Sequence, residues 1–580
     1  MNMLNEPGMA SETTSPSSLL TDLSLLAGAP NGIQKLRELI LELAVRGKLV
    51  PQDPNDKSAD FWVNQIENEK AKLVEAGLLR ETKSPSKVHS REYLTVLPES
   101  WQWVTLTEII LGMDSGWSPA CEATSSPNDE VWGVLKTTSV QMFKYLQGEN
   151  KELPAHLNPR PEAEVKAGDI LFTRAGPMNR VGISCLVEST RPKLMISDKI
   201  IRFHPVEAGA YGRYIALCLN TGETAQYLAK AKSGMAASQV NISQEKLKLA
   251  PIPLPPLPEQ HRIVTKVDEL MALCDRLEAQ QVDAESAHAR LVQALLDSLT
   301  QASDADDFAA SWQRLAEHFH TLFTTESSID ALKQTLLQLA VMGKLVPQDP
   351  NDEPAAELLK HIAKKKAQLI TEGKIKKQKP PVEISQEEKP FNLPKGWEWA
   401  RFGNICSISS ELVRPEDFPE LRQVAPDCIE KGTGLLTKRR TVKESGVKGP
   451  NNRFYAGQII YSKIRPSLSK AILVDFEGLC SADMYPLDVF IDPQFLLNEI
   501  LSEVFLRQVR IAENRIKMPK LNKESLASFV LPIPPLLEQH RIVNKIYQIV
   551  TLCNQLKGHI RLVQQVQVRL TNALVGQAVA

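Results

Sequence analysis

Arginine and asparagine can read guanine and adenine edges with two hydrogen bonds at once. This sequence gathers both, with lysines, in two separate regions. In the first, Lys136, Thr137, Arg174, Asn179, Arg180, Ser238, Gln239 and Asn241 fall in loop-like stretches. In the second, Lys438, Arg439, Lys463, Arg465, Lys470, Arg515, Lys517, Lys520 and Asn522 do the same. TKRRTVKESGVK (437–448) carries five basic residues and one acidic, and RQVRIAENRIKMPKLNK (507–523) carries six and one. Such runs suit a nucleic-acid contact, and they equally suit a solvated face. Both readings stand at this point.

Other chemistries lack their residues. There is no phosphate-cradling G-x-x-x-x-G-K-S/T and no G-x-G-x-x-G after a strand. The Asp/Asn-Pro-Pro-Phe/Tyr tetrapeptide of adenine methyltransferases is missing, and Asn158-Pro159-Arg160 does not replace it. H-E-x-x-H, G-x-S-x-G and EF-hand loops are also absent. Catalysis is therefore not expected in this chain. His261 and His540 have no second ligand at metal spacing and are expected to cap or hydrogen-bond; His318 and His320 lie on a polar stretch. The eight cysteines form no C-x-x-C pair, which predicts a reducing, cytoplasmic setting without disulfides or structural zinc.

The 580 residues suffice for several domains. With 68 basic against 69 acidic residues the net charge is −1, so the chain is no bulk polycation. Any nucleic-acid contact must come from local patches or from a partner's charge. No apolar run approaches a membrane span, and the first residues lack the basic and apolar regions of a signal peptide.

Internal repetition organises the chain. LRELILELAVRGKLVPQDPND (36–56) and LKQTLLQLAVMGKLVPQDPND (332–352) agree at 15 of 21 positions. At the same offset, LPESWQW (97–103) matches LPKGWEW (393–399), setting Trp101 and Trp103 against Trp397 and Trp399. PLPPLPEQHRIV, ending at Val264, matches PIPPLLEQHRIV, ending at Val543. Between these motifs only fragments align, such as AGDILFTR (167–174) with AGQIIYSK (456–463). Even drift after a duplication would spread divergence along the chain, whereas here it is concentrated.

After each E-Q-H-R-I-V, apolar residues recur at alternating spacings of four and three, a heptad pattern. The seam runs Ile263, Val267, Leu270, Cys274, Leu277 and on through Leu291 and Leu295. Its copy runs Ile542, Ile546, Ile549, Cys553, Leu556 and on through Leu570 and Leu574. Each predicts a helix of about 40 residues, roughly 60 Å long, with the cysteines as packing residues. The first long helix is followed by the LAVMGKLVPQDPND copy; the second ends the chain, and its expected follower stands at the N-terminus. Joining the ends would complete two copies of one unit. The ends are therefore expected to lie near each other in a pseudo-two-fold molecule.

The expected organisation is a disordered tail over 1–32, a helical frame segment over 33–96 and a variable module over 97–258. A central frame region with the long helix follows over 259–392, then a second module over 393–537 and a long helix over 538–580. Short β-type runs (VWGVLKTTSV, DILFTR, IIRFHP, QIIYSK, AILVDF) mixed with helix-like runs make each module an α/β-type globule.

The twice-used LAVxGKLVPQDPND, the twice-used PxPPLxEQHRIV before a long helix and the Trp-x-Trp start of each module resemble the specificity subunit of type I restriction–modification enzymes. That resemblance spans the chain from about residue 33. It implies an α+β fold with two target-recognition domains, separated by long helices that form an antiparallel coiled coil. Each domain would read half of a split site in double-stranded DNA, through the residues named above. Two modification subunits would supply S-adenosylmethionine-dependent adenine methylation, and restriction subunits ATP- and Mg-dependent translocation and cleavage. This chain would hold no cofactor or metal and touch no membrane. Two other readings remain: a repeat-built scaffold or coiled-coil adaptor without DNA, and a stand-alone DNA-binding regulator.

Overall fold

The computed structural model describes residues 26–79, 95–121, 123–375, 382–513 and 520–579. It divides into two units, Met1–Asp283 with Gln564–Ala580, and Ala284–Val563. In the first unit the frame begins with the helices Gly32–Val45 and Ala59–Glu75. Most of the stretch expected as a tail lies outside the described residues. Its end does not behave as one, because Leu26 and Ala29 are buried, at 1% and 4% exposure. Apolar side chains there gain more from the core than their ordering costs.

The module's two ends are hydrogen-bonded to each other. Strand Gln102–Thr105 runs antiparallel to Pro251–Leu254, with Trp103 opposite Pro253. The Trp pair and the Pro-rich run thus close a globule whose chain leaves where it entered. Inside it, Ile110–Ser115, Ile200–Pro205, Ile170–Thr173 and Ser184–Leu186 form an antiparallel four-stranded sheet in that order. DILFTR and IIRFHP pair directly, with Phe172 opposite Ile201, and the helix Gly212–Asn220 supplies Tyr214 and Ile215 to the core.

The second unit repeats this plan. Glu398–Arg401 pairs with Val530–Ile533 and sets Trp399 opposite Pro532. Its four-stranded sheet runs Cys406–Ile408, Met484–Val489, Ile459–Ser462, Ala471–Leu473. A five-stranded sheet containing Arg422–Val424 and Arg440–Thr441 has no five-stranded counterpart among the described residues of the first module. The sequence also did not foretell the helices Ala305–Glu317 and Phe319–Leu322 in the central frame.

The repeated motifs form one latch in each unit. Glu259 is 1% exposed; Trp101 Nε1 donates to its Oε2 (3.1 Å) and Gln52 Nε2 to its Oε1 (2.6 Å). In the second unit Trp397 and Gln348 donate to Glu538 in the same way, at 3.0 and 3.1 Å. Arg262 pairs with Asp56 at 2.6 Å and Arg541 with Asp352 at 2.5 Å. Gly47 and Gly343 take φ of 68° and 71°, and a Cβ on either would lie 2.5 or 2.4 Å from the proline ring before the tryptophan. A buried donor or acceptor left without its partner costs ~1–3 kcal/mol. Three motifs far apart in sequence therefore hold one another fixed while the modules vary.

The long helices are Leu257–Gln301, of 45 residues, and Leu536–Val579, of 44. Each unit takes the first part of one and the last part of the other. Ile263, Val267, Leu270 and Cys274 share a core with Leu36 and Ile40, against which Leu574 packs. In the second unit Val292, Leu296 and Leu299 share a core with Cys553, Ile329 and Leu332. Head beside tail is what an antiparallel pair requires. The heptad seam needs correcting in its later part: Val563, also expected on it, is 56% exposed and Leu291 and Leu570 are each 53% exposed, while Val292 is 3% and Thr571 5% exposed. A straight helix drifts ~20° per heptad, about one residue position over this length.

Lys48 and its repeat equivalent Lys344 both serve a long helix's C-terminus. Lys48 Nζ and Arg46 Nη1 donate to Val579 O at 3.3 and 3.4 Å. Lys344 Nζ donates to Thr300 O and Ala302 O at 3.3 and 3.0 Å. A cation there complements the helix dipole. The last described residue thus lies against the first frame segment, as the order of the motifs implied.

Candidate nucleic-acid interface

In the first module, three stretches distant in sequence converge. The residues after strand Gly133–Leu135 make a short turn and then the hairpin Val140–Gln141/Lys144–Tyr145. Strand Ala175–Gly176 leads into the turn that carries Asn179 and Arg180, and pairs with Gln239–Asn241. That strand in turn pairs with Ser233–Ala236, so Ser238 sits at an exposed hairpin tip.

Arg180 ties the first two stretches together. Its Nη2 donates to Thr137 O and Val140 O, both at 2.8 Å, and Nη1 to Gln141 Oε1 at 3.1 Å. Most of its donors are spent inside the module, so it positions the loops; the base contact expected of it would require breaking these bonds. Met178 N donates to Ala237 O at 2.9 Å, joining the second stretch to the third. Lys136 stands 3.9 Å from Glu149, and Asn241 Oδ1 accepts from Ser233 Oγ at 3.1 Å. The side chains of Arg174, Asn179 and Gln239 have no hydrogen bond or ion pair among the described residues; Asn179 and Gln239 are exposed and Arg174 is half-buried.

The second module gathers the equivalent stretches. Ile464 bridges Lys520, and Leu521 N donates to Lys463 O at 2.9 Å. Gly432 N donates to Ser469 O at 3.3 Å, and Lys470 Nζ to Pro426 O at 2.5 Å. The loops carrying 438–439, 463–470 and 520–522 therefore share one face. Within it several cations are engaged: Lys463 with Ala482 O (2.7 Å), Lys438 with Asp427 (3.0 Å), Lys520 with Asp483 (3.3 Å). Lys438, followed by Arg440, holds the Asp427 carboxyl below the usual range. Arg439 and Arg465 are exposed, with no hydrogen bond or ion pair from their side chains among the described residues. Arg465 is held at φ 44°, a conformation costly for any residue but glycine.

Asn522 departs from expectation. It is the N-cap of helix Lys523–Ser528, and its Oδ1 accepts from Ser525 N at 2.7 Å. A two-handed contact with adenine would cost that cap. The motif Asn522-Lys523-Glu524-Ser525 could have announced it. Arg515 and Lys517 lie outside the described residues.

Of the remaining candidates for chemistry, the cysteines pack, whereas His261, His318, His320 and His540 are exposed. Cys274 and Cys553 are buried in the frame cores. His261 stacks on Tyr211 with ring centroids 4.0 Å apart, and His540 Nε2 lies 3.5 Å from Asp492. Among the described residues no group of three His, Cys, Asp or Glu could hold a metal ion, and no helix is long and apolar enough to cross a membrane.

The family model of the type I restriction modification DNA specificity domain matches this chain twice, over residues 98–285 and 394–563. The chain is 34% identical over 572 residues to the Escherichia coli type I restriction enzyme EcoAI specificity subunit, with 94% of each covered. It is 34% identical over 580 residues to the Escherichia coli EcoEI specificity subunit, again with 94% of each covered. The crystal structure of the HsdS subunit from Thermoanaerobacter tengcongensis aligns with 84% of this chain and 99% of that one, at 17% identity and a TM-score of 0.42. The chain belongs to the family of type I restriction–modification specificity subunits.

Proposed function

We propose that this chain recognises DNA for a type I restriction–modification enzyme, each module reading one half of a bipartite site in double-stranded DNA. The observation that carries this is the pairing of faces. Two divergent modules, on frames with the same latch, gather loops from the same three places of the fold and line them with Arg, Lys, Asn and Gln. Arg174, Asn179 and Gln239 in the first module and Arg439 and Arg465 in the second are the groups left available for bases. Lysines already paired to carboxylates suit phosphate positioning, which fixes register without reading sequence.

In this reading the chain is non-catalytic. Two modification subunits bring S-adenosylmethionine, restriction subunits bring ATP and Mg, and the complex works in the cytoplasm. The test is the host's methylation pattern with and without the chain. A two-part, unsymmetrical motif should disappear with it. Exchanging residues 97–258 for a relative's module should change one half of the motif only. A continuous motif, or a change in both halves, would sink the proposal.

A further inference from the structure

The hairpin Val140–Gln141/Lys144–Tyr145 turns on two residues, Met142 and Phe143. Phe143 sits at φ 62°. Two-residue turns with a positive φ take glycine or asparagine, and a bulky side chain there is an outlier. Nothing in the hairpin requires a phenylalanine, and the ring is not buried in exchange. Phe143 is 42% exposed and Met142 50%. Met178, on the neighbouring turn, is also 50% exposed. An apolar tip therefore stands on the face that carries Arg174 and Asn179, fixed to it by the bond from Arg180 to Gln141. Lys144 beside it is exposed, and Glu149 at the hairpin's base is turned to Thr138 Oγ1 at 2.6 Å.

In the second module the same short turn leads into a longer loop, closed by the bridge Ile429–Leu436 and by Glu430 N donating to Leu435 O at 2.9 Å. There the left-handed positions are Gly432 and Gly434, at φ 69° and 74°, and Leu435 beside them is 58% exposed. Although that loop is longer, its positive-φ positions are filled by glycine, the residue that adopts them without strain. The phenylalanine in the first module answers a different demand.

We propose that Phe143, backed by Met142, is an apolar wedge pressed into a base step of the first module's half-site, partly unstacking it. The proposal rests on the DNA-reading function above and names a residue that determines how it is performed. Phe and Met are among the side chains that minor-groove-binding proteins insert between base steps, whereas a ribbon lying in the major groove would meet the thymine methyl instead. The cationic and amide groups around the tip supply the complement to phosphate and base edges.

The experiment uses the chain assembled with its modification subunits and duplexes carrying its methylation motif. 2-Aminopurine is placed at successive positions of each half-site. Apart from the target adenine that a methyltransferase flips out in each half-site, the wild-type complex should brighten at one further step, in the first module's half-site. Phe143→Gly should abolish that signal and weaken binding roughly tenfold, as for one lost base–aromatic stack. Its salt dependence should not change, because no charge is removed, and its melting temperature should not fall, because glycine suits the turn. Phe143→Trp should keep the signal. Wild-type affinity and fluorescence in Phe143→Gly would overturn the wedge. So would an affinity loss on replacing one thymine by uracil with no unstacking beyond the flipped target adenines, which would make the tip a methyl contact. A wild-type complex without any sequence-selective binding would remove the wedge and the proposed function together.

Discussion

Substituting Asn522 should test the fold before it tests recognition. Asn522→Ala removes the acceptor for Ser525 N, and a lost N-cap costs ~1 kcal/mol. Asn522→Asp should retain that stability in urea unfolding; equal losses in both would show the cap to be irrelevant. Arg439→Ala should do the reverse, leaving stability unchanged and relaxing one position of the second half-site by ~1–3 kcal/mol. Uniform weakening at all sequences would make Arg439 a phosphate contact. Glu499 offers a pH test. It is 1% exposed on helix Pro493–Leu501, and neither carboxyl oxygen has a partner among the described residues. Burial pushes its pKa well above the ordinary value of 4.5. The folded state then holds a proton that the unfolded chain releases above about pH 4.5. Stability is full below that value and falls as pH rises toward the folded pKa, by up to ~1.4 kcal/mol per pH unit. Glu499→Met should therefore raise the melting temperature more at pH 8 than at pH 4. An equal shift at both would mean the carboxyl is not protonated in the fold.

The long helices separate what the sequence discloses from what it conceals. A charge at Leu270, 7% exposed in the first unit's core, should cost several kcal/mol as Leu270→Asp. Leu291→Asp, on the extrapolated heptad seam but 53% exposed, should cost little. Thermal unfolding of the two variants decides between the seams, and the reverse order would restore the supercoiled one. Their apolar period was legible because one face packs along most of the length. Its drift was not, because 3.5 and 3.6 residues per turn diverge only after several turns. The latch behaves likewise. Its motifs were visible as repeats, but nothing local in Gln52, Trp101 or Glu259 says that the three meet. The strand runs DILFTR and QIIYSK were legible from their burial. Arg180 and Asn522 have internal partners that composition did not disclose, because the donors and acceptors that read a base also brace a loop or cap a helix.

At the scale of the whole chain, the decisive contact is that of Lys48 and Arg46 with Val579 O. It places the C-terminal residues in the first unit, beside helix Gly32–Val45, where Leu574 packs against the core. The break between the ends is thus equivalent to the place where Gln301 passes into the central frame, served there by Lys344. A chain cut between Ser303 and Asp304, both exposed, and closed by a flexible Gly/Ser linker from Val579 to Leu26 would keep every latch and both module borders. Closing a flexible loop costs only ~0.6 kcal/mol per doubling of its length. The lysine–carbonyl bonds at both helix ends would be untouched. The permuted chain should therefore fold with its melting temperature within a few degrees of the parent and direct the same two-part methylation motif. If the first half of that motif were lost while the second survived, the first unit would depend on the order in which its parts are joined, and the equivalence of the two breaks would fail.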